Sequence, residues 1–165
     1  MIRFKTEEEV ALMKVSALLV SSTLAEIAKV LKPGMTTMQL DKLANEYIKD
    51  HQAIPSFYQY SGYPFHICTS VNDVIVHGMP NLRPLLDGDL ISVDIGVEKD
   101  GYHGDHAYTF LSGEVTPEML KLVRSPKSLC IWVLRKPLQG TILAIFPVPY
   151  SVIQKKRGMG WYGNW

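Results

Sequence analysis

The chain changes character between Val123 and Arg124, and that break limits what it can fold into. All 16 Asp and Glu and all 5 His lie in residues 1–123, whereas all 3 Trp and four of the 10 Pro lie in residues 124–165. Residues 1–123 carry ten Lys and Arg; residues 124–165 carry seven, with no acid to balance them. Such a composition is unlike that of a selected helix or a mixed-charge surface. The expected organisation is therefore a folded segment, 1–123, and an aberrant tail, 124–165. A basic tail can attract acidic partners, but a tail never selected as a surface explains it more simply. The net charge of +1 implies no global pull towards nucleic acid.

Length and cysteine usage narrow the class further. A chain of 165 residues fits one ordinary domain. Cys68 and Cys130 fall on opposite sides of the break, which suggests no disulfide framework and a reducing, cytoplasmic setting. The start, MIRFKTEEEV, lacks the apolar core of a signal peptide. The longest apolar runs, 129–134 and 141–150, are too short for the roughly 18–20 residues of a membrane span.

Residues 1–123 have regular periodicity. Thr6-Glu7-Glu8-Glu9 reads as a capping box, with Thr6 as N-cap. Val10, Met13, Leu18, Ala25, Ala28 and Leu31 then recur at helical spacing, until Lys32-Pro33-Gly34 stops the helix. Thr36 or Thr37 caps a second helix with Leu40, Leu43, Ala44, Tyr47 and Ile48 on one face. An aromatic segment from Phe57 to Tyr63 follows, punctuated by Pro55, Gly62 and Pro64. Strand-like runs are expected over 67–70, 74–77, 90–97 and 102–111. Helices followed by antiparallel hairpins indicate an α+β class.

Asp94 and Asp105 form the sharpest chemical pair. Lys99-Asp100-Gly101 signals a hairpin turn between two β-rich runs. A Lys99-Asp100 turn sets the two aspartates directly opposite, and an Asp100-Gly101 turn sets them diagonally. Both registers place the carboxylates on one sheet face. Asp94 lies in an apolar run, Ile91-Ser92-Val93-Asp94-Ile95. Two carboxylates held together in a partly dry place need a proton, a cation or a metal between them. Oxygen donors suit divalent Mg, Mn, Fe or Co. The alternative is a pair of solvated hairpin aspartates. His77, before Gly78-Met79-Pro80, is expected to project from a strand end, where it could orient a substrate or move a proton. A lone His is otherwise a satisfied structural residue. His103 shares the Asp105 face by strand parity and His106 does not, and both are expected at the periphery or the surface.

VNDVIVHGMP followed by SVDIGVEKDGYHGD, with LKPGMTT and YSGYPFHICTSVNDVIVHG around them, resembles the methionine aminopeptidase family in its short bacterial-type form. The likeness covers residues 1 to about 123. It implies a pita-bread fold, two pseudo-symmetric α+β halves around two divalent metal ions of the Co, Mn, Fe or Zn kind. By motif, Asp94 would chelate one metal, Asp105 would bridge both, and His77 would hydrogen-bond the substrate as a catalytic residue. Tyr60, Tyr63 and Cys68 would line the pocket for an N-terminal methionine, with Phe57 at its edge. A pocket of aromatics and a thiol suits a thioether. The implied reaction is removal of the N-terminal methionine through a metal-activated water. The implied partners are peptides or nascent N-termini beginning with Met, met at the ribosome. A cytoplasmic monomer is expected, with no specific nucleic acid and no membrane. A relative in the aminopeptidase P or prolidase branch is a further reading, and such relatives carry a substantial domain before this core.

One departure stands out. The family completes its metal site with one His and two Glu from the second half, and a further His touches substrate. This chain has no His after His106 and no Glu after Glu118. The metal site is therefore expected to be incomplete, and a catalytically dead module that binds peptide N-termini is the alternative. The tail fits loss of one base before Arg124. The permitted codons then spell EVTKESLYLGIEKAVAGN, with apolar residues at helical spacing and a Gly-Asn stop. Near the end they spell EKEGYGVVREL, again family-like. Residues 124–165 are thus expected to be out-of-frame translation.

Overall fold

The computed structural model describes residues 4–134, with side chains to residue 125. They fall in two units, which divide between Val115 and Thr116. The first unit holds two helices and an antiparallel sheet, and so belongs to the α+β class.

Helix α1 spans Glu7–Val30 and α2 spans Thr37–Asp50. Both start with the reciprocal hydrogen bonds of a capping box. Thr6 Oγ1 accepts from Glu9 N at 3.2 Å, and Thr6 N donates to the Glu9 carboxylate at 2.8 Å. Thr36, rather than Thr37, caps α2 in the same way with Gln39. The α2 face is the expected one: Leu40, Ala44 and Ile48 are fully buried, and Leu43 and Tyr47 pack beside them.

The α1 face differs from the expected one. The buried residues are Ser16, Leu19, Val20, Thr23, Leu24 and Ile27. Val10, Met13, Leu18, Ala25 and Ala28 are exposed. The interface is seamed with hydroxyls whose hydrogen bonds are met inside it, so apolar spacing alone gives the wrong phase. Thr23 Oγ1 donates to Leu19 O at 2.8 Å, and Ser16 Oγ donates to Tyr102 O at 2.8 Å. By length and apolar composition α1 could cross a membrane, a candidate that short-run counting overlooks. Its buried residues, from Ser16 to Ile27, pack in the core with the sheet and α2.

Four strands form the sheet: β1 (Ile54–Pro55), β2 (Cys68–Val71), β3 (Leu90–Lys99) and β4 (Tyr102–Leu111). Strand β3 pairs with β4 along its full length, and with β1 and β2 at separate points of its other edge. Lys99 pairs with Tyr102 across the Asp100-Gly101 turn, whose residues both have positive φ, 53° and 78°. That geometry suits the Asp-Gly type I′ hairpin. Ile91, Val93, Ile95 and Val97 of β3 are buried in one core with the inner faces of α1 and α2. Burying each such side chain contributes roughly 1.5–3 kcal/mol. The other face of β3 carries Ser92, Asp94, Gly96 and Glu98. Gly104 of β4 lets α1 approach closely, since a Cβ there would lie 2.6 Å from the helix backbone at Ser16 and Ala17.

The strand expected over 74–77 does not form. The segment is a turn and loop opened by Asn72 at φ 54° and closed by His77 at φ 57°, with Val74, Ile75 and Val76 exposed. The backbone then returns to β2 through Thr69 N to Gly78 O at 2.7 Å. Exposed β-branched residues with no strand to pair with do not make a strand.

In the second unit, α3 spans Pro117–Leu134. Thr116 Oγ1 accepts from Met119 N at 3.3 Å, and Pro117 occupies the first helical position. The helix crosses the Val123–Arg124 break without interruption. Residues 135–165 of the expected out-of-frame tail lie outside the described residues.

Candidate active site

The cleft face of the sheet is fixed by register. Cys68 of β2 pairs with Asp94 of β3, and Gly96 of β3 pairs with Asp105 of β4. Residues paired across an antiparallel sheet share a face, so Cys68, Asp94 and Asp105 point the same way. Asp94 itself is opposite Ala107. The two aspartates are thus diagonal neighbours, the outcome of the Asp100-Gly101 turn.

The residues singled out in the sequence meet here. A cleft of about 740 Å³ is lined by Phe57, Tyr60, Tyr63, Cys68, His77, Asp94 and Asp105 together. The aromatic wall is a short 3-10 turn, Tyr60–Gly62, preceded by Gln59 at φ 64° and containing Ser61 at φ 50°. Left-handed backbone in residues other than glycine costs on the order of 1–3 kcal/mol and needs support from its surroundings. The Tyr63 hydroxyl lies 3.1 Å from Ile67 O and 3.4 Å from Gly78 O, bracing the wall against β2 and the His77 loop. His77 reaches the cleft from that loop rather than from a strand end.

Electrostatics set Asp94 apart. Burial, then the neighbouring charge of Asp105, pushes its carboxyl above the ordinary range, against weaker opposing effects of His77 and the Ile95 amide. Its Oδ1 is buried and has no hydrogen-bond partner. An orphaned buried carboxylate oxygen costs free energy unless a cation or proton meets it. Burial likewise raises the Cys68 thiol, with the charges of Asp94, Asp105 and Asp41 adding to it against a lowering hydrogen bond from Tyr63. The Tyr63 phenol is raised, first by burial and then by its bond to Cys68. Both groups are neutral at pH 7 and form an uncharged surface beside the acids.

The orphaned Asp94 oxygen and the hard-oxygen pair fit a divalent cation. The fit is partial: among the described residues no three His, Cys, Asp or Glu side chains are placed to share one ion.

Sequence reasoning missed three contributors. His103, expected at the periphery, lines the cleft, with its Nδ1 2.9 Å from Ser56 Oγ. Its parity with Asp105 was the available signal. Ser56 carried none. Gly96 is the third: a Cβ there would lie 2.6 Å from the Phe57 ring, so the ring rests on bare backbone beside both acids. His106, on the opposite parity, is exposed and is not part of the cleft lining.

Known proteins share this arrangement of sequence and fold. The methionine aminopeptidase of Clostridium acetobutylicum is 45% identical over 128 residues, 77% of this chain and 51% of that protein. Methionine aminopeptidase 1 of Bacillus subtilis is 45% identical over 123 residues, 74% of this chain and 50% of that protein. The chain therefore spans about half the length of these relatives. The crystal structure of methionine aminopeptidase from Thermotoga maritima superposes with a TM-score of 0.91 at 32% identity, covering 96% of this chain and 64% of that one. A Xaa-Pro dipeptidase from Bacillus anthracis shares the fold, at a TM-score of 0.78 and 14% identity. The fold is thus that of the N-terminal half of the pita-bread fold of these enzymes. The model of metallopeptidase family M24 matches residues 11–130, and the chain belongs to that family.

Proposed function

We propose that the cleft is the methionine-recognition half of a metal-dependent aminopeptidase site, which removes the N-terminal methionine of peptides and nascent proteins. The observation that carries this reading is the convergence of a thiol-and-aromatic pocket and the Asp94–Asp105 pair on one sheet face. Tyr60, Tyr63, Cys68 and Phe57 take the thioether side chain, exclude water and present no charge to it. His77 donates a hydrogen bond to the substrate backbone from the cleft rim. Asp94 and Asp105 would hold two divalent ions, whose chemistry is to lower the pKa of a bound water and polarise the scissile carbonyl. Asp94 Oδ1, buried and unpartnered, is the oxygen best placed to meet a cation. On this reading the substrates are nascent chains met at the ribosome in the cytoplasm.

A catalytically dead module that binds peptide N-termini is the alternative for the 165-residue chain, raised by the fact that among the described residues no three His, Cys, Asp or Glu side chains are placed to share one ion. Two carboxylates give weak metal affinity and loose geometry. We further propose that residues 124–165 are read out of frame. The two family-like readings recovered from a single shift support this, and sequencing the gene across codons 120–128 tests it. The functional test uses the purified chain and the peptide Met-Ala-Ser, with and without Mn²⁺ or Co²⁺. Metal-dependent release of free methionine is the result the aminopeptidase reading expects, and calorimetric binding without release is the result the binding-only reading expects. Hydrolysis would overturn the binding-only reading, and absence of any binding would overturn methionine recognition itself.

A further inference from the structure

Behind the cleft, one buried carboxylate ties together the segments that carry its walls. Asp41 of α2 is 4% exposed. Its Oδ1 accepts the amide N–H of His66 at 2.8 Å and that of Ile67 at 3.0 Å, and its Oδ2 lies 2.8 Å from His66 Nδ1. An ionised carboxylate only accepts, so Nδ1 carries the hydrogen. The His66 ring then stacks on Tyr58, with centroids 4.7 Å apart and planes at 15°.

These contacts reach the cleft from outside. Ile67 precedes Cys68, and its carbonyl receives the Tyr63 hydroxyl. Tyr58 follows Phe57, whose ring rests on Gly96. Between them, Gln59 and Ser61 hold left-handed backbone that a short 3-10 turn does not stabilise by itself. External anchors must fix that segment, and the Asp41–His66–Tyr58 set is attached at both its ends. A charge-assisted hydrogen bond to a buried carboxylate is the strong kind, and losing one partner leaves an uncompensated charge.

We infer that Asp41 and His66 are positioning residues that set the shape of the aromatic and thiol-lined pocket without touching its contents. The functional part of this inference rests on the reading that the pocket takes a methionine side chain. The geometric part does not.

The test compares the wild-type 165-residue protein with H66F, H66A and D41N. H66F keeps the ring stack and the backbone N–H but removes the ring bond to Asp41, and H66A removes the stack as well. Alkylation of Cys68 by N-ethylmaleimide, followed on the Cys68 peptide by mass spectrometry, reports the pocket wall separately from Cys130. Met-Ala-Ser affinity and Tm are measured in parallel. Alkylation is expected to rise severalfold in H66F and about tenfold in H66A, the size of a lost hydrogen bond to a charged group. Peptide affinity is expected to fall in the same order, while Tm falls by a similar amount in both His66 variants, since both lose the same bond to Asp41. Wild-type alkylation rates in both His66 variants would overturn the inference. So would a rise that tracks Tm across all variants, because that marks a general structural role. Faster alkylation with no peptide binding in any form, wild type included, leaves the positioning intact and overturns methionine recognition. If D41N does not fold, the two His66 variants carry the test.

Discussion

Asp94 is where the chemistry of the site is concentrated. Its carboxylate is partly buried, faces a second acid diagonally, and has one oxygen with no partner. Removing the charge should therefore help the metal-free protein and harm the metal-bound one. D94N is expected to raise Tm by a few degrees without metal and to abolish any rise of Tm on adding Mn²⁺. Differential scanning calorimetry with and without the ion checks both, and a D94N protein still stabilised by Mn²⁺ would place the ion elsewhere. Gly96 plays the complementary part, since bare backbone at that position seats Phe57 beside the acids. Asp89 behaves in the opposite sense to Asp94. Burial works against its charge, but hydrogen bonds from Leu86 N and Asn72, and the charge of Arg83, outweigh it and hold the carboxyl below its ordinary 3.8. A depressed folded value means that the stabilisation is present above the unfolded pKa and is lost as pH falls through the folded one. Stability should fall below about pH 3.8, and D89N should be less stable at pH 7 with a flatter acid limb in urea titrations.

At the scale of elements, packing of α1 against β4 decides where the acids point. Ser16 bonds the Tyr102 carbonyl, and Gly104 gives the helix its close approach. Gly104 precedes Asp105, so the residue facing the helix and the residue facing the cleft are neighbours on one strand. G104A should push the helix off the strand at a cost of roughly 1–3 kcal/mol, the usual price of overpacking. Chemical denaturation would show it as a lower midpoint at unchanged slope, and an unaltered midpoint would mean that the helix gives way freely. The α2 face and both capping boxes are local features, and spacing and cap residues were enough to read them. The α1 face is not local, because Ser16 and Thr23 are buried by partners far away in the chain or one turn back.

For the whole molecule, β4 is the feature that matters most. Its inner edge pairs with β3 throughout, and no strand among the described residues pairs with its outer edge. Asp105, His106, Ala107 and Tyr108 are exposed along it. A long unpaired edge is a template for another chain. The purified chain is expected to self-associate as concentration rises, and H106K, on the edge but outside the cleft, should suppress this. Sedimentation velocity checks it; a monodisperse monomer with a cooperative thermal transition would count against the prediction.

The sequence by itself determined the α+β class, the capped helices and the hairpin, and its motif order carried the likeness to the family. Those follow from local spacing, turn chemistry and motif order, which a chain carries without its neighbours. It left two hairpin registers open for Asp94 and Asp105, and the turn at Asp100-Gly101 chose the diagonal one. Only the tertiary structure decided which α1 face is buried, that His77 enters from a loop, and that His103 joins the cleft beside Ser56. It also revealed the tie from Asp41 to His66, 25 residues apart in sequence. Each of these depends on what lies opposite once the chain has closed on itself. A hydroxyl or a histidine is equally acceptable in water and in a satisfied interface, so its residue type does not say which it will occupy.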